Sequence, residues 1–252
     1  MKRHVLVTRP ADQAEELCSL LRERSVVPVA VPTVEIDRDS TASELDATLG
    51  TLDDAAWMVI TSANGARALA DRLAASDRSL PPELRVAAVG PATAHALRDA
   101  GIRVDHVPEA YLTVAIAEGL GEVEGRRIVL ARADAATPDL RDALLARGAR
   151  VTEIVAYRTV EGPAASRDPL RAALHRDLDG IAFSSSSTVR GLIRLASGVD
   201  RGRARTVPCF CIGPVTAATA TRMGFHVAAV ATEYTAAGLA DAIQQHFSQE
   251  DR

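Results

Sequence analysis

Six short stretches of this chain concentrate small polar residues, each between a short apolar run and a stretch of helical period. They are Thr8-Arg9-Pro10, Thr61-Ser62-Ala63-Asn64-Gly65, Gly90-Pro91-Ala92-Thr93, Ser184-Ser185-Ser186-Ser187-Thr188, Gly213-Pro214-Val215-Thr216 and Thr232-Glu233-Tyr234-Thr235. Where a strand turns into a helix, the first backbone N–H groups lack intrahelical partners and the helix dipole is positive, so an anion is held there. Ser, Thr and Asn are also ordinary N-caps and Pro an ordinary first-turn residue, so any one stretch read alone is a cap. Six aimed at one edge describe a cleft rich in neutral donors, suited to a ligand with several carboxylates or phosphates.

Two arginines and a tyrosine add directed chemistry. Arg9 and Arg132 end equivalent strands of the two half-chains, where a guanidinium can clamp a carboxylate. The competing reading pairs each with a nearby acid, Arg132 with Asp134 for instance. Tyr157 stands on a long strand-like run and offers a phenol able to donate a hydrogen bond or a proton; a tyrosine on a strand is equally a packing residue.

Other chemistries lose ground. The only lysine is Lys2, which removes Schiff-base and P-loop lysines from the interior. There is no Gly-x-Gly-x-x-Gly, Gly-x-Ser-x-Gly, His-Glu-x-x-His, Cys-x-x-Cys or Asp-rich calcium loop, and the six histidines are scattered. A net charge of -4 with 3% aromatic residues argues against a nucleic-acid partner. No run approaches the length of a membrane span, and the first thirty residues lack a secretory pattern. Cys18, Cys209 and Cys211 are read as core residues in a reducing compartment, so the expected location is the cytoplasm, with no membrane partner.

The elements that must position these residues come twice. Val5-Leu6-Val7-Thr8-Arg9 matches Ile128-Val129-Leu130-Ala131-Arg132, a shift of 123 positions, and the same shift relates Ile60-Thr61-Ser62 to Phe183-Ser184-Ser185, Val89-Gly90-Pro91-Ala92-Thr93 to Ile212-Gly213-Pro214-Val215-Thr216, and Tyr111 to Tyr234. Apolar runs at 5–7, 29–31, 57–60, 86–89 and 104–107, then 128–130, 151–155, 181–183, 207–212 and 227–230, alternate with helical stretches such as Ala11–Arg24 and Asn64–Ala75. That alternation predicts an α/β protein of two similar flavodoxin-like parallel-sheet lobes, five strands each. The long runs 27–36 and 151–160 end at equivalent polar segments and predict a two-stranded β hinge.

With these motifs in this order, including Trp57 and Ile154-Val155-Ala156-Tyr157-Arg158-Thr159, the chain resembles the uroporphyrinogen-III synthase family over essentially its whole length. The resemblance implies that residues 1–35 join 161–252 in one lobe and 36–160 form the other. It implies cyclisation of hydroxymethylbilane, a linear tetrapyrrole, to uroporphyrinogen III with loss of water and inversion of the last ring, without cofactor or metal. Departure of the hydroxyl gives an azafulvene, which the already substituted carbon attacks through a spiro intermediate, so most of the catalysis is positioning. Tyr157 is the implied donor to the leaving oxygen. The implied substrate contacts are Thr8, Arg9, Ser62, Ala63, Asn64, Gly90, Pro91, Thr93, Arg132, Ser185, Ser186, Gly213, Pro214, Thr216, Tyr234 and Thr235. Two positions depart from the family pattern: Tyr234 replaces a small residue or proline before Thr235, and Leu112 replaces a hydroxyl. A monomer is expected, with transient contact to the preceding pathway enzyme. The alternative reading is a non-catalytic two-lobed receptor or regulator for a small polyanion.

Overall fold

A computed structural model describes residues 2–109, 113–134 and 136–250. The strands are β1 (Arg3–Val7), β2 (Val26–Ala30), β3 (Val34–Asp37), β4 (Ala55–Ile60), β5 (Arg85–Ala88), β6 (Arg127–Ala133), β7 (Arg150–Glu161), β8 (Gly180–Phe183), β9 (Cys209–Cys211) and β10 (Val227–Val230). The helices are α1 (Ala11–Glu23), α2 (Ala42–Leu49), α3 (Ala63–Ser76), α4 (Pro91–Asp99), α5 (Thr113–Gly119), α6 (Asp139–Ala146), α7 (Arg167–Leu174), α8 (Ser186–Leu195), α9 (Gly198–Thr206), α10 (Pro214–Arg222) and α11 (Ala236–Glu250). They fall into two compact units, one of Met1–Glu35 with Val160–Arg252 and one of Ile36–Thr159.

The central apolar runs are strands because both faces of each sheet are covered there, so side chains pointing either way find an apolar layer. On β4, Met58 and Ile60 enter one core layer while Trp57 and Val59 enter the layer behind the sheet. On β1, Leu6 faces one layer, Val5 and Val7 the other. Each apolar side chain buried this way contributes about 1.5–3 kcal/mol relative to exposure.

The discontinuous unit has strand order β2-β1-β8-β9-β10, and its pairings are parallel. The continuous unit has order β5-β4-β6-β7-β3, with β4, β5, β6 and β7 paired in parallel. Shifting by 123 positions carries β1 onto β6 and β4 onto β8, so β2-β1-β8-β9 and β7-β6-β4-β5 share one flavodoxin-like order; the fifth strand differs, β10 lying beyond β9 in one sheet and β3 beyond β7 in the other. The repeat is close in detail. Helices α4 and α10 begin and end at positions related by that shift, and their N-caps Gly90 (φ −171°, ψ 179°) and Gly213 (φ −172°, ψ 173°) share one conformation. The left-handed Gly101 (φ 74°) and Gly224 (φ 83°) that follow are also equivalent.

Two expected strands differ. The run 27–36 is not one strand but β2 and β3, separated by a bend at Thr33. Pro32 has no N–H to give a ladder, while the Thr33 N–H donates to the Thr8 carbonyl (3.2 Å) and the Thr33 hydroxyl donates to the Thr188 carbonyl (2.8 Å). The run 104–107 reduces to a single bridge between Ala87 and His106. There the Asp105 carboxylate accepts the Val86 N–H (2.8 Å), replacing the backbone acceptor a continuing strand would offer. The run 151–160 is one strand, β7.

Candidate active site

In each unit taken by itself, the singled-out residues gather at the carboxyl edge of the sheet. Thr8 and Arg9 follow β1, Ser185 and Ser186 follow β8, Gly213, Pro214 and Thr216 follow β9, and Tyr234 and Thr235 follow β10. In the continuous unit, Ser62, Ala63 and Asn64 follow β4, Gly90, Pro91 and Thr93 follow β5, Arg132 is near the end of β6, and Tyr157 is on β7.

The side chains of Ser62 and Tyr157 are joined directly. Ser62 is extended (φ −158°, ψ 155°) and caps α3, its Oγ accepting the Gly65 N–H at 3.0 Å. The same hydroxyl donates its single proton to Tyr157 Oη at 3.0 Å. Tyr157 lies on β7 opposite Ala133 of β6, and its ring packs in the layer that holds Ile60, Ile154 and Ala156. It is 6% exposed. The phenol oxygen is an acceptor toward Ser62, so its own proton remains for a third group. The strand is fixed there by the Asp134 N–H donating to the Tyr157 carbonyl (3.3 Å) and the Thr159 N–H donating to Asp134 Oδ1 (3.4 Å).

The discontinuous unit carries the equivalent cap without the phenol. Ser185 (φ −166°, ψ 162°) accepts the Thr188 N–H at 3.2 Å while its own N–H donates to Thr188 Oγ1 at 3.3 Å, a reciprocal capping box. Its hydroxyl is bonded to Ser187 Oγ at 2.8 Å, and the Ser186 hydroxyl to Thr219 Oγ1 at 2.9 Å.

The two arginines have acidic partners. Arg132, 6% exposed, donates to Glu153 and to the Thr137 carbonyl. Its acid is therefore Glu153 on the adjacent strand, not Asp134; parallel pairing sets Leu130 against Glu153, and from there the carboxylate reaches the arginine. Arg141 approaches the same carboxylate at 3.6 Å, and a cavity of about 220 Å³ is lined by Arg132, Asp134, Arg141 and Glu153. Arg9 pairs with Glu16 at 2.9 Å.

The remaining positions divide by exposure. The Thr8 hydroxyl is fully buried and donates to the Ala182 carbonyl at 2.7 Å, and Thr93 and Thr216 are buried in the first turns of α4 and α10. Asn64 Oδ1 accepts from Arg67 at 3.2 Å. Tyr234 is 67% exposed beside Gly213, where a Cβ would meet its ring at 3.3 Å. Thr235 Oγ1 accepts the Gly238 N–H at 3.0 Å. Leu112 and Tyr111 lie outside the described residues. Glu153 and Thr33 were not foreseen; neither carries a local pattern, since each matters through a partner on another element.

Cys18, Cys209 and Cys211 are free and buried, as core residues should be. The hydrogen bond with its neighbour Cys211, followed by burial, pushes the Cys209 thiol far above its ordinary range. Among the described residues, no group of three or more His, Cys, Asp or Glu could hold a metal ion.

A family model described as uroporphyrinogen-III synthase HemD matches residues 15–241. A protein from Synechococcus elongatus named uroporphyrinogen-III synthase is 32% identical over 248 residues, covering 96% of this chain and 94% of the relative. A porphyrin biosynthesis protein HemD from Ruminiclostridium josui is 27% identical over 224 residues, 86% of this chain and 44% of that one. Among solved structures, a mutant uroporphyrinogen III synthase from Thermus thermophilus has the same fold, with a TM-score of 0.67 at 20% identity over 98% of this chain and 99% of that chain. So has a uroporphyrinogen-III synthetase from Helicobacter pylori, at 0.61 and 16% over 100% of both.

Proposed function

The chain belongs to the uroporphyrinogen-III synthase family, and from that premise we propose that Tyr157 is the acid of its reaction and that the strand-to-helix loops of both units hold the substrate's carboxylates. The reaction closes hydroxymethylbilane to uroporphyrinogen III, losing water and inverting ring D, a lyase-type step of porphyrin biosynthesis.

In the proposed step the Tyr157 phenol gives its proton to the hydroxyl oxygen as the C–O bond breaks. Water departs, and a pyrrole nitrogen supplies the electron pair that makes the azafulvene. The substituted carbon of ring D attacks this electrophile to form the spiro intermediate; the bond from that carbon to the ring C methylene then breaks, leaving an azafulvene on ring C, and the unsubstituted carbon of ring D attacks it, which inverts the ring. That last closure expels a proton from carbon, which replaces the one the phenol gave, so one water is the net loss. No redox change or Lewis acid enters the balance, and the proposal includes no cofactor or metal.

The carrying observation is the direction of the Ser62–Tyr157 bond, which leaves the phenol proton for a third group. A polycarboxylate suits the loops because N–H and hydroxyl donors bind carboxylate oxygens without burying a countercharge. Among the described residues no helix is long and apolar enough to cross a membrane. Three free, buried cysteines suit a reducing compartment, and the proposed setting is a single chain in the cytoplasm. The test is incubation of the purified protein with hydroxymethylbilane and analysis of the isomers. Type III product that falls sharply in Tyr157→Phe supports the reading; undiminished type III in that variant overturns the acid role of Tyr157.

A further inference from the structure

We infer that Ser62 is a positioning residue for Tyr157 rather than a substrate ligand: its hydroxyl fixes the side on which the phenol presents its proton. The inference rests on the reading of Tyr157 as the acid. A phenol hydrogen lies near the ring plane, on one of two sides, with acceptor density on the other. Ser62 Oγ, donating at 3.0 Å, occupies the acceptor side and leaves the opposite side for the hydrogen. Ser62 is itself held, because the Gly65 N–H bonds its oxygen at 3.0 Å and the cap geometry fixes its backbone.

The internal repeat supplies a comparison within the same molecule. The shift of 123 positions carries Ser62 to Ser185 and Gly65 to Thr188, and it relates Val34 to Tyr157. With valine at the sequence-equivalent position, Ser185 keeps its capping bond while its hydroxyl is bonded to Ser187 Oγ. Both serines accept an N–H three residues ahead, so the cap alone does not require the bond across to β7. Only the unit that contains the phenol has the serine hydroxyl directed to it. Gly65 fits this difference: a Cβ there would lie 3.3 Å from Ser62 Oγ and 3.4 Å from Ile60 Cγ2, crowding the serine where glycine leaves it room.

The experiment compares steady-state kcat and KM for hydroxymethylbilane in the full-length protein, Ser62→Ala, Ser62→Thr, Ser62→Gly, Tyr157→Phe and the double variant Ser62→Ala with Tyr157→Phe. Ser62→Gly guards against a folding defect, since glycine is itself an acceptable N-cap. Expected are a severalfold loss of kcat with little change in KM for Ser62→Ala and Ser62→Gly, recovery of most of kcat in Ser62→Thr, and less than a twofold further loss when Ser62→Ala is added to Tyr157→Phe. A raised KM at unchanged kcat, or full multiplication of the two losses in the double variant, overturns the positioning role. Wild-type turnover in Tyr157→Phe ends the acid reading itself, whereas a slow Tyr157→Phe beside unaffected Ser62→Ala and Ser62→Gly ends only the inference about Ser62.

Discussion

Gly191 of α8 stands against the backbone of Thr33 so closely that a Cβ built on it would lie 1.9 Å from the Thr33 carbonyl oxygen. That carbonyl also accepts the Gly162 N–H at 2.9 Å, so neither partner has room to withdraw. Replacing a helix-interior glycine by alanine ordinarily stabilises by roughly 0.5–1 kcal/mol. Here the sign reverses: Gly191→Ala is expected to cost about 3 kcal/mol, the upper part of the usual overpacking range. Urea unfolding monitored by circular dichroism measures it, and an unchanged midpoint would contradict the contact.

Tyr157→Phe removes one oxygen from a buried ring and leaves the packing surface intact. Turnover should fall about tenfold or more, equivalent to roughly 1.4 kcal/mol of transition-state stabilisation. The slower enzyme then competes less well with spontaneous closure, so the share of type I product rises. Rapid quenching with isomer separation reads both quantities.

Arg132 joins β6 to Glu153 of β7 and to the carbonyl of Thr137 beyond the strand end. Removing one partner of a buried pair costs about 3–5 kcal/mol. Glu153 is a third exposed and keeps Arg141 at 3.6 Å, so Arg132→Ala should lose less, nearer about 2 kcal/mol. Chemical denaturation is the check. A variant of native stability with a weakened KM would make Arg132 a substrate ligand instead.

Acid should unfold the protein partly through the Ile36–Thr159 unit. Hydrogen bonds from Arg72 hold the Asp46 carboxyl below its ordinary 3.8, and those from Arg127 do the same for Asp54. A carboxyl lowered in the folded state contributes stability that is complete above its unfolded value and is lost as pH falls through the folded one. Asp46→Asn is therefore expected to be less stable at neutral pH and to show a shallower loss below about pH 4. Thermal midpoints measured from neutral to strongly acid pH would show it; parallel curves for variant and parent would exclude the contribution.

All three thiols are buried, so the native protein should give no rapid reaction with dithionitrobenzoate. In guanidinium chloride it should release three equivalents, one for each cysteine. Rapid labelling of the native state would place a thiol at the surface and reopen a redox role.

What the sequence disclosed was whatever is local or periodic. The caps at Ser62, Ser185, Gly90 and Gly213 follow from residue type and from the shift of 123, and the two-faced burial of β1 and β4 follows from unbroken apolar runs. Hidden were relations across the fold. Glu153 meets Arg132 because parallel pairing of β6 and β7 sets Leu130 opposite Glu153, and Asp105 caps Val86 only because the chain returns beside β5. The bend at Thr33 depends on acceptors at Thr8 and Thr188, far along the chain on either side. Likewise, nothing near Ser62 announces that its proton goes to a residue on β7.

The place of β1 between β2 and β8 has a consequence for synthesis. The residues of β1 leave the ribosome before the Ile36–Thr159 unit yet belong to the unit finished last, since β8 is made only after the whole Ile36–Thr159 unit has been synthesised. That continuous stretch can collapse while the apolar ribbon of Val5–Val7 still waits with one side unpaired. Translation speed through the middle of the gene therefore sets how long a sticky strand is left unguarded.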